Sequence, residues 1–129
     1  MKAINITYWI TTSIVALMML FSVYAYLTNP DMTAAFQHLG YPDHLRITLA
    51  IAKLIGAALL LAPVAARIKE WAYAGFTFTF IEAFLAHSAA GDPVNMRVMP
   101  VIFLLLLIAS YVTFNRRHAV ASQRTAQAA

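Results

Sequence analysis

The sequence predicts an all-α fold: a four-transmembrane-helix bundle with both termini cytoplasmic and a short interfacial helix in the first outer loop. Three observations lead there. Hydrophobic residues make up 62% of the chain, against roughly 45–50% in soluble domains. Charged residues make up 11%, against roughly 25% in soluble domains. Four apolar segments, each near the length needed to cross a bilayer, are separated by turn residues. A soluble domain so poor in polar groups could not cover its surface, whereas a lipid-facing bundle has no such need.

The first segment, Ile6 to Leu27, carries no charge. It is longer than the roughly 7–15-residue apolar region of a signal peptide, so a retained helix is expected. Thr11, Thr12, Ser13 and Ser22 suit helix packing. Thr28-Asn29-Pro30-Asp31 closes it, because Pro30 has no backbone donor and restricts Asn29. Met32 to Leu39 is short and mixed, as an interfacial helical turn would be, and Gly40-Tyr41-Pro42-Asp43 reads as a turn.

The second segment, Leu45 to Pro63, contains Lys53. The third, Trp71 to Ala90, contains Glu82 and His87. The fourth, Val98 to Phe114, is uncharged, and Pro100 is expected in its first turn, where a missing donor does no harm. Backbone amides in lipid must be paired within the segment, so each run should be helical. Residues 1–118 then form one membrane domain. Residues 119–129 are small and polar and are expected to be a disordered cytoplasmic tail.

Orientation follows from the basic residues. Lys2, Arg67, Lys69, Arg116, Arg117 and Arg124 fall on one side, and only Arg46 and Arg97 on the other. The positive-inside rule puts the first group in the cytoplasm. The same rule accounts for the net charge of +4. The basic residues form no stripe that could track phosphates, which argues against nucleic acid as a partner. Trp9, Trp71, Tyr73, Tyr24 and Tyr26 lie near segment ends, where interfacial aromatics are expected.

The intramembrane charges point to a site. An ionisable group at this depth costs roughly 2.5–3.5 kcal/mol on insertion scales, so partners are expected. Lys53 and Glu82 both fall roughly 9–12 Å below the outer boundary at 1.5 Å per residue. They are expected to face the bundle interior and interact, directly or through water. Small residues share their faces: Ala50, Gly56 and Ala57 with Lys53, and Gly75, Thr79, Ala86 and Ala89 with Glu82. Such stripes let membrane helices approach closely. The pair serves either as glue that fixes register or as part of a ligand or proton site. His87 lies about 140° around the helix from Glu82, near the outer mouth of any cavity. Lys53, Glu82 and His87 are the candidate ligand-binding residues.

Other chemistries find little support. The chain has no cysteine, so it holds no disulfide, no iron–sulfur cluster of its own and no thiol relay. Haem b usually takes two histidines on facing helices, and only His87 lies within a predicted helix. His38, His44 and His87 share the outer side with Asp31, Asp43 and Asp92, but no pair has a recognised metal-ligand spacing. Phe76, Phe78, Phe80 and Phe84 surround the third helix, either as packing and lipid contact or as the wall of a pocket for a flat apolar ligand such as a quinone.

The run Lys69-Glu70-Trp71-Ala72-Tyr73-Ala74-Gly75-Phe76, the turn Leu39-Gly40-Tyr41-Pro42 and Lys53-Leu54-Ile55-Gly56 resemble the DoxX-like family of small four-helix membrane proteins. His87 and the Gly91-Asp92 turn add to the likeness, which spans about Tyr8 to Phe114. The resemblance implies a bacterial inner-membrane protein. The family name derives from a subunit linked to thiosulfate–quinone oxidoreduction. Some relatives act as assembly chaperones, and others sit in oxidative-stress complexes. The leading expectation is a non-haem accessory subunit of a membrane redox or stress system that binds quinone or another lipophilic ligand between its helices. A membrane protein partner or a homodimer fits the same reading. A non-catalytic scaffold or assembly factor, and a small transporter or proton pathway through Glu82 and His87, stay open.

Overall fold

The structure is a computed structural model describing residues 2–129. All regular structure among them is helical: α1 (Lys2–Thr28), α2 (Pro30–His38), α3 (Asp43–Leu61), α4 (Ala66–Ala89) and α5 (Val94–Ala128). Apolar periodicity explains which faces meet. On α1, Tyr8, Thr11, Thr12, Val15, Ala16, Met19 and Val23 are buried, a stripe at intervals of three and four. Ile6, Ile10, Leu17, Phe21 and Tyr24 on its other faces are exposed. A helix with large apolar groups on its outer surface suits lipid rather than water.

The long helices close a ring. α1 packs against α3 and α5, and α4 packs against the same two from the opposite side. The α3–α4 contact is the thinnest of the four, and α2 lies across α3 and α1. Both chain ends therefore lie at one end of the bundle, and α2 with the α4–α5 turn lies at the other. Near the chain ends Arg117 donates to Asn5 Oδ1 at 2.7 Å and stacks 4.3 Å from the Tyr8 ring centroid. Three helices, α1, α3 and α5, are long and apolar enough to cross a membrane. α4 has 24 residues, but Thr77, Thr79, Glu82 and His87 dilute its apolar run.

The turns are built by local chemistry. Asn29 caps α2, its side chain accepting from the Asp31 amide at 2.9 Å. Gly40 (φ 83°) and Gly91 (φ 73°) take left-handed backbone after α2 and α4. Each lets the following amide reach back to the helix: Tyr41 N to Phe36 O at 2.9 Å, and Asp92 N to His87 O at 3.0 Å. The second of these turns sets Asp92 beside the end of α4.

Four expectations need correction. Pro100 is not in the first turn of α5, which starts at Val94 directly after Pro93; it lies six residues further in. There it cannot donate to the Met96 carbonyl. Residues 119–128, expected to be disordered, continue α5 as exposed helix. Ala, Gln and Arg favour helix, and no breaker follows Pro100. Tyr73, expected as an interfacial anchor, is 3% exposed and belongs to the core. The buried face of α4 is also not its small-residue stripe. It is Lys69, Ala72, Tyr73, Phe76 and Phe80, while Gly75, Glu82 and Ala89 are exposed and Thr79 is half-buried. Three aromatic rings bury more apolar area than glycine and threonine could, so they decide which way α4 turns.

Candidate functional site

The half of the bundle beneath α2 holds a cavity of about 680 Å³, within the roughly 300–1,000 Å³ usual for small-molecule sites. α2 and the turn after it contribute Phe36, Leu39 and Tyr41; α4 contributes Phe78, Glu82 and His87; α5 contributes Met96, Met99 and Phe103. Lys53 and Leu49 of α3 and Tyr26 of α1 complete the wall. Most of this lining is apolar, with the polar groups few and concentrated.

Lys53 is 6% exposed. Its ammonium donates to Ser22 Oγ at 2.9 Å and to Tyr26 OH at 2.8 Å. It also sits 3.9 Å from the Tyr26 ring centroid, where the ring face attracts a cation. Ser22 and Tyr26 are four residues apart on α1, so they stand one above the other on a single face. Arg46 holds this end of α1 by donating to the Tyr26 carbonyl and to Asp43 Oδ1, the latter at 3.0 Å. An ammonium has three hydrogens to donate and accepts none. Two are used, and no carboxylate among the described residues forms an ion pair with it.

Glu82 therefore makes no direct ion pair with Lys53. Its carboxylate accepts from Tyr41 OH at 2.5 Å, and its side chain is exposed rather than turned into the bundle. The two residues do share the cavity wall. They stand apart because α4 meets α3 through Phe76, whose ring lies against Gly56: a Cβ there would come within 2.6 Å of it. With Phe76 turned toward α3, Glu82 is carried round toward Tyr41. Burial, and then the bond to Glu82, pushes the Tyr41 hydroxyl up to about 12, so it stays protonated and donating.

His87 also lines the cavity. It forms a clasp with Asp92 and His38: His87 Nδ1 to Asp92 Oδ2 is 2.6 Å, and His38 Nε2 to Asp92 Oδ1 is 2.8 Å. Hydrogen bonds from His87 first and His38 second hold the Asp92 carboxyl below its ordinary range. An ionised carboxylate only accepts, so both imidazoles donate to it. Arg97 donates to the Asp92 carbonyl at 2.8 Å. The clasp ties α2 to the α4–α5 turn and so anchors the roof of the cavity. Among the described residues no group of three or more His, Asp or Glu is arranged to hold a metal ion.

The opposite half of the bundle is crossed by a packed polar layer. Ser110 Oγ lies 2.6 Å from Thr12 Oγ1 and 2.7 Å from Tyr73 OH, and Thr12 and Ser110 have no exposed surface. Lys69, 8% exposed, donates to the Leu60 carbonyl at 3.1 Å and to Tyr8 OH at 3.2 Å. Lys69 thus satisfies a carbonyl in the last turn of α3.

Sequence reasoning named Lys53, Glu82 and His87 but missed what holds them: Ser22, Tyr26, Tyr41 and Asp92. The four-residue spacing of Ser22 and Tyr26 was the available signal. Nothing local tied Tyr41 to Glu82, 41 positions apart.

A helical bundle with apolar side chains across its outer faces, and with helices long and apolar enough to cross a bilayer, defines the class: a membrane protein. A family model described as the DoxX-like family matches residues 10–110, and the chain belongs to that family. No curated protein and no solved structure gives a significant match to the sequence.

Proposed function

We propose that the chain crosses a bacterial inner membrane four times, with both termini cytoplasmic. In that setting it binds a lipophilic ligand with a hydrogen-bond-accepting head, such as a quinone, beneath α2. It would serve as a non-haem accessory subunit of a membrane redox or stress system. Four crossings are supported by the closed ring of α1, α3, α4 and α5 and by the length of α4. The basic residues at the end shared by both termini support the orientation.

One observation carries the ligand reading. Lys53 is a buried cation with two hydroxyl partners, no carboxylate in ion-pair reach among the described residues, and a cavity beside it. A charge in a low-dielectric site is costly unless it is paired and hydrogen-bonded. A ligand carbonyl or oxyanion would take the third ammonium hydrogen, while Tyr41–Glu82 and His87 offer polar contacts on the facing wall. The packed Thr12–Ser110–Tyr73 layer favours a closed binding site over a transmembrane path.

The test is equilibrium binding of a benzoquinone to the protein in lipid nanodiscs. The wild type should bind, and Lys53→Met should lose about tenfold or more in affinity, the weight of one charge-assisted hydrogen bond. Equal binding by the variant, with its helical content intact, would overturn the assignment.

A further inference from the structure

A second space adjoins the first. Between α3 and α4 runs a groove of about 300 Å³ whose walls include Leu49, Lys53, Gly56, Trp71, Gly75 and Thr79. Leu49, Lys53 and Thr79 also line the cavity beneath α2. The two spaces therefore share part of one wall, with the Lys53 side chain in it. The groove exists because α4 packs through Phe76 and Phe80, which leaves Gly75 and Thr79 beside the seam. A Cβ built on Gly75 meets nothing within 4 Å, so the space is open rather than taken up by a neighbouring helix. Phe76, pressed on Gly56, closes it on the inner side. Trp71, 80% exposed, stands at its far end, eight residues or about 12 Å of helix from Thr79.

We propose that this groove is the subsite for the apolar chain of the ligand held at Lys53, and the route by which that ligand enters from the bilayer. The inference rests on the head-group reading above. It commits to a single-chain amphiphile: an accepting head against the ammonium, and one flexible chain lying along the α3–α4 seam toward Trp71. The place of Lys53 in the walls of both spaces selects this occupant. A second copy of the protein covering the seam would leave the buried cation as it was, whereas a chain entering here delivers its own head to it. The lining away from Lys53 is apolar, apart from the hydroxyl of Thr79, which is already spent on the Gly75 carbonyl at 2.8 Å.

The experiment compares one quinone head with and without a long isoprenoid chain, using wild type, Gly75→Leu and Gly75→Phe in nanodiscs of one lipid composition. Partitioning of the chain into the disc is common to all three proteins, so only the ratio of variant to wild-type affinity is read. Gly75→Phe fills the groove from a helical position where added atoms find room, and the substitution raises helix propensity. The expected result is a loss of about tenfold for the long-chain quinone, a smaller loss in Gly75→Leu, and no change for the head alone. Unchanged binding of the long-chain form, or equal loss for both forms, overturns the chain subsite. If the wild type binds neither quinone, that choice of head fails by itself. A fatty acid, with a carboxylate for Lys53 and the same kind of chain, then decides the groove. A comparable loss in Gly75→Phe sustains it, and equal binding or no binding at all overturns it.

Discussion

Two lysines in this bundle are buried to nearly the same degree, Lys53 at 6% and Lys69 at 8% exposure, yet they sit in opposite surroundings. Lys69 is enclosed by the core, and one of its partners is a main-chain carbonyl, that of Leu60. Lys53 has only side-chain hydroxyls as partners and borders a cavity. Burial alone thus does not say what a buried cation is for. Each ammonium donates two hydrogen bonds and keeps one hydrogen. What differs is where that hydrogen stands: at Lys69 in the packed core, where the two bonds hold the end of α3 to α1, and at Lys53 beside a cavity, where the proposed ligand would take it.

That contrast is sharpest in a pair of substitutions. Lys69→Met should destabilise the bundle by about 1.5–3 kcal/mol, the usual range for a lost hydrogen bond to a charged group. It strips the Leu60 carbonyl and the Tyr8 hydroxyl of their shared donor where nothing can replace it. Lys53→Met should cost less stability, because Ser22 and Tyr26 are only half-buried and Tyr26 lines the cavity, while ligand binding falls. Denaturation in detergent, followed by helical circular dichroism, gives both stabilities. The distinction collapses if Lys53→Met proves the more damaging to the fold.

A somewhat smaller effect tests whether the half near the chain ends is a closed structural unit. Ser110 is the hub between Thr12 and Tyr73. Ser110→Ala leaves two buried hydroxyls short of a partner, at about 1–3 kcal/mol. The loss should appear in unfolding and leave ligand affinity unchanged. An altered affinity would mean that the two halves are coupled, and that the cavity depends on the packing beneath it.

The comparison also shows what could be read from the chain. The helices were legible because lipid-length apolar runs and turn residues are local signals: Leu45 to Pro63 became Asp43–Leu61, and Met32 to Leu39 became Pro30–His38. Lys53 and Glu82 were legible as unusual charges in such runs. Their separation was not, because it depends on the rotation of α4 about its own axis. The small stripe of Gly75, Thr79 and Glu82 and the aromatic set Tyr73, Phe76 and Phe80 competed to face the core. The aromatic set won, and the expected contact between the charges was lost with it. The clasp at Asp92 was hidden for a similar reason. His38 lies 54 positions away, and only the folding of α2 over the bundle brings it near.

The smallest expected effect concerns that clasp, and it belongs to the open half alone. Asp92 has its proton affinity lowered in the fold by His87 and His38. A carboxylate depressed in this way contributes stability above its unfolded value, about 3.8, and loses that contribution as pH falls through the lower folded value. Asp92→Asn can still accept from one imidazole but carries no charge, so it lacks this pH-dependent contribution. The gap in melting temperature between wild type and variant should hold steady just above pH 3.8 and narrow below it. Subtracting the variant removes the other carboxylates from the comparison. Amide exchange should localise the change: α2, held to the turn through His38, should exchange faster in Asp92→Asn, while the amides of α1 around Thr12 should not respond. A uniform response along the chain would show that the roof and the packed half open together, and the division of the bundle into a closed part and a receptive part would fail.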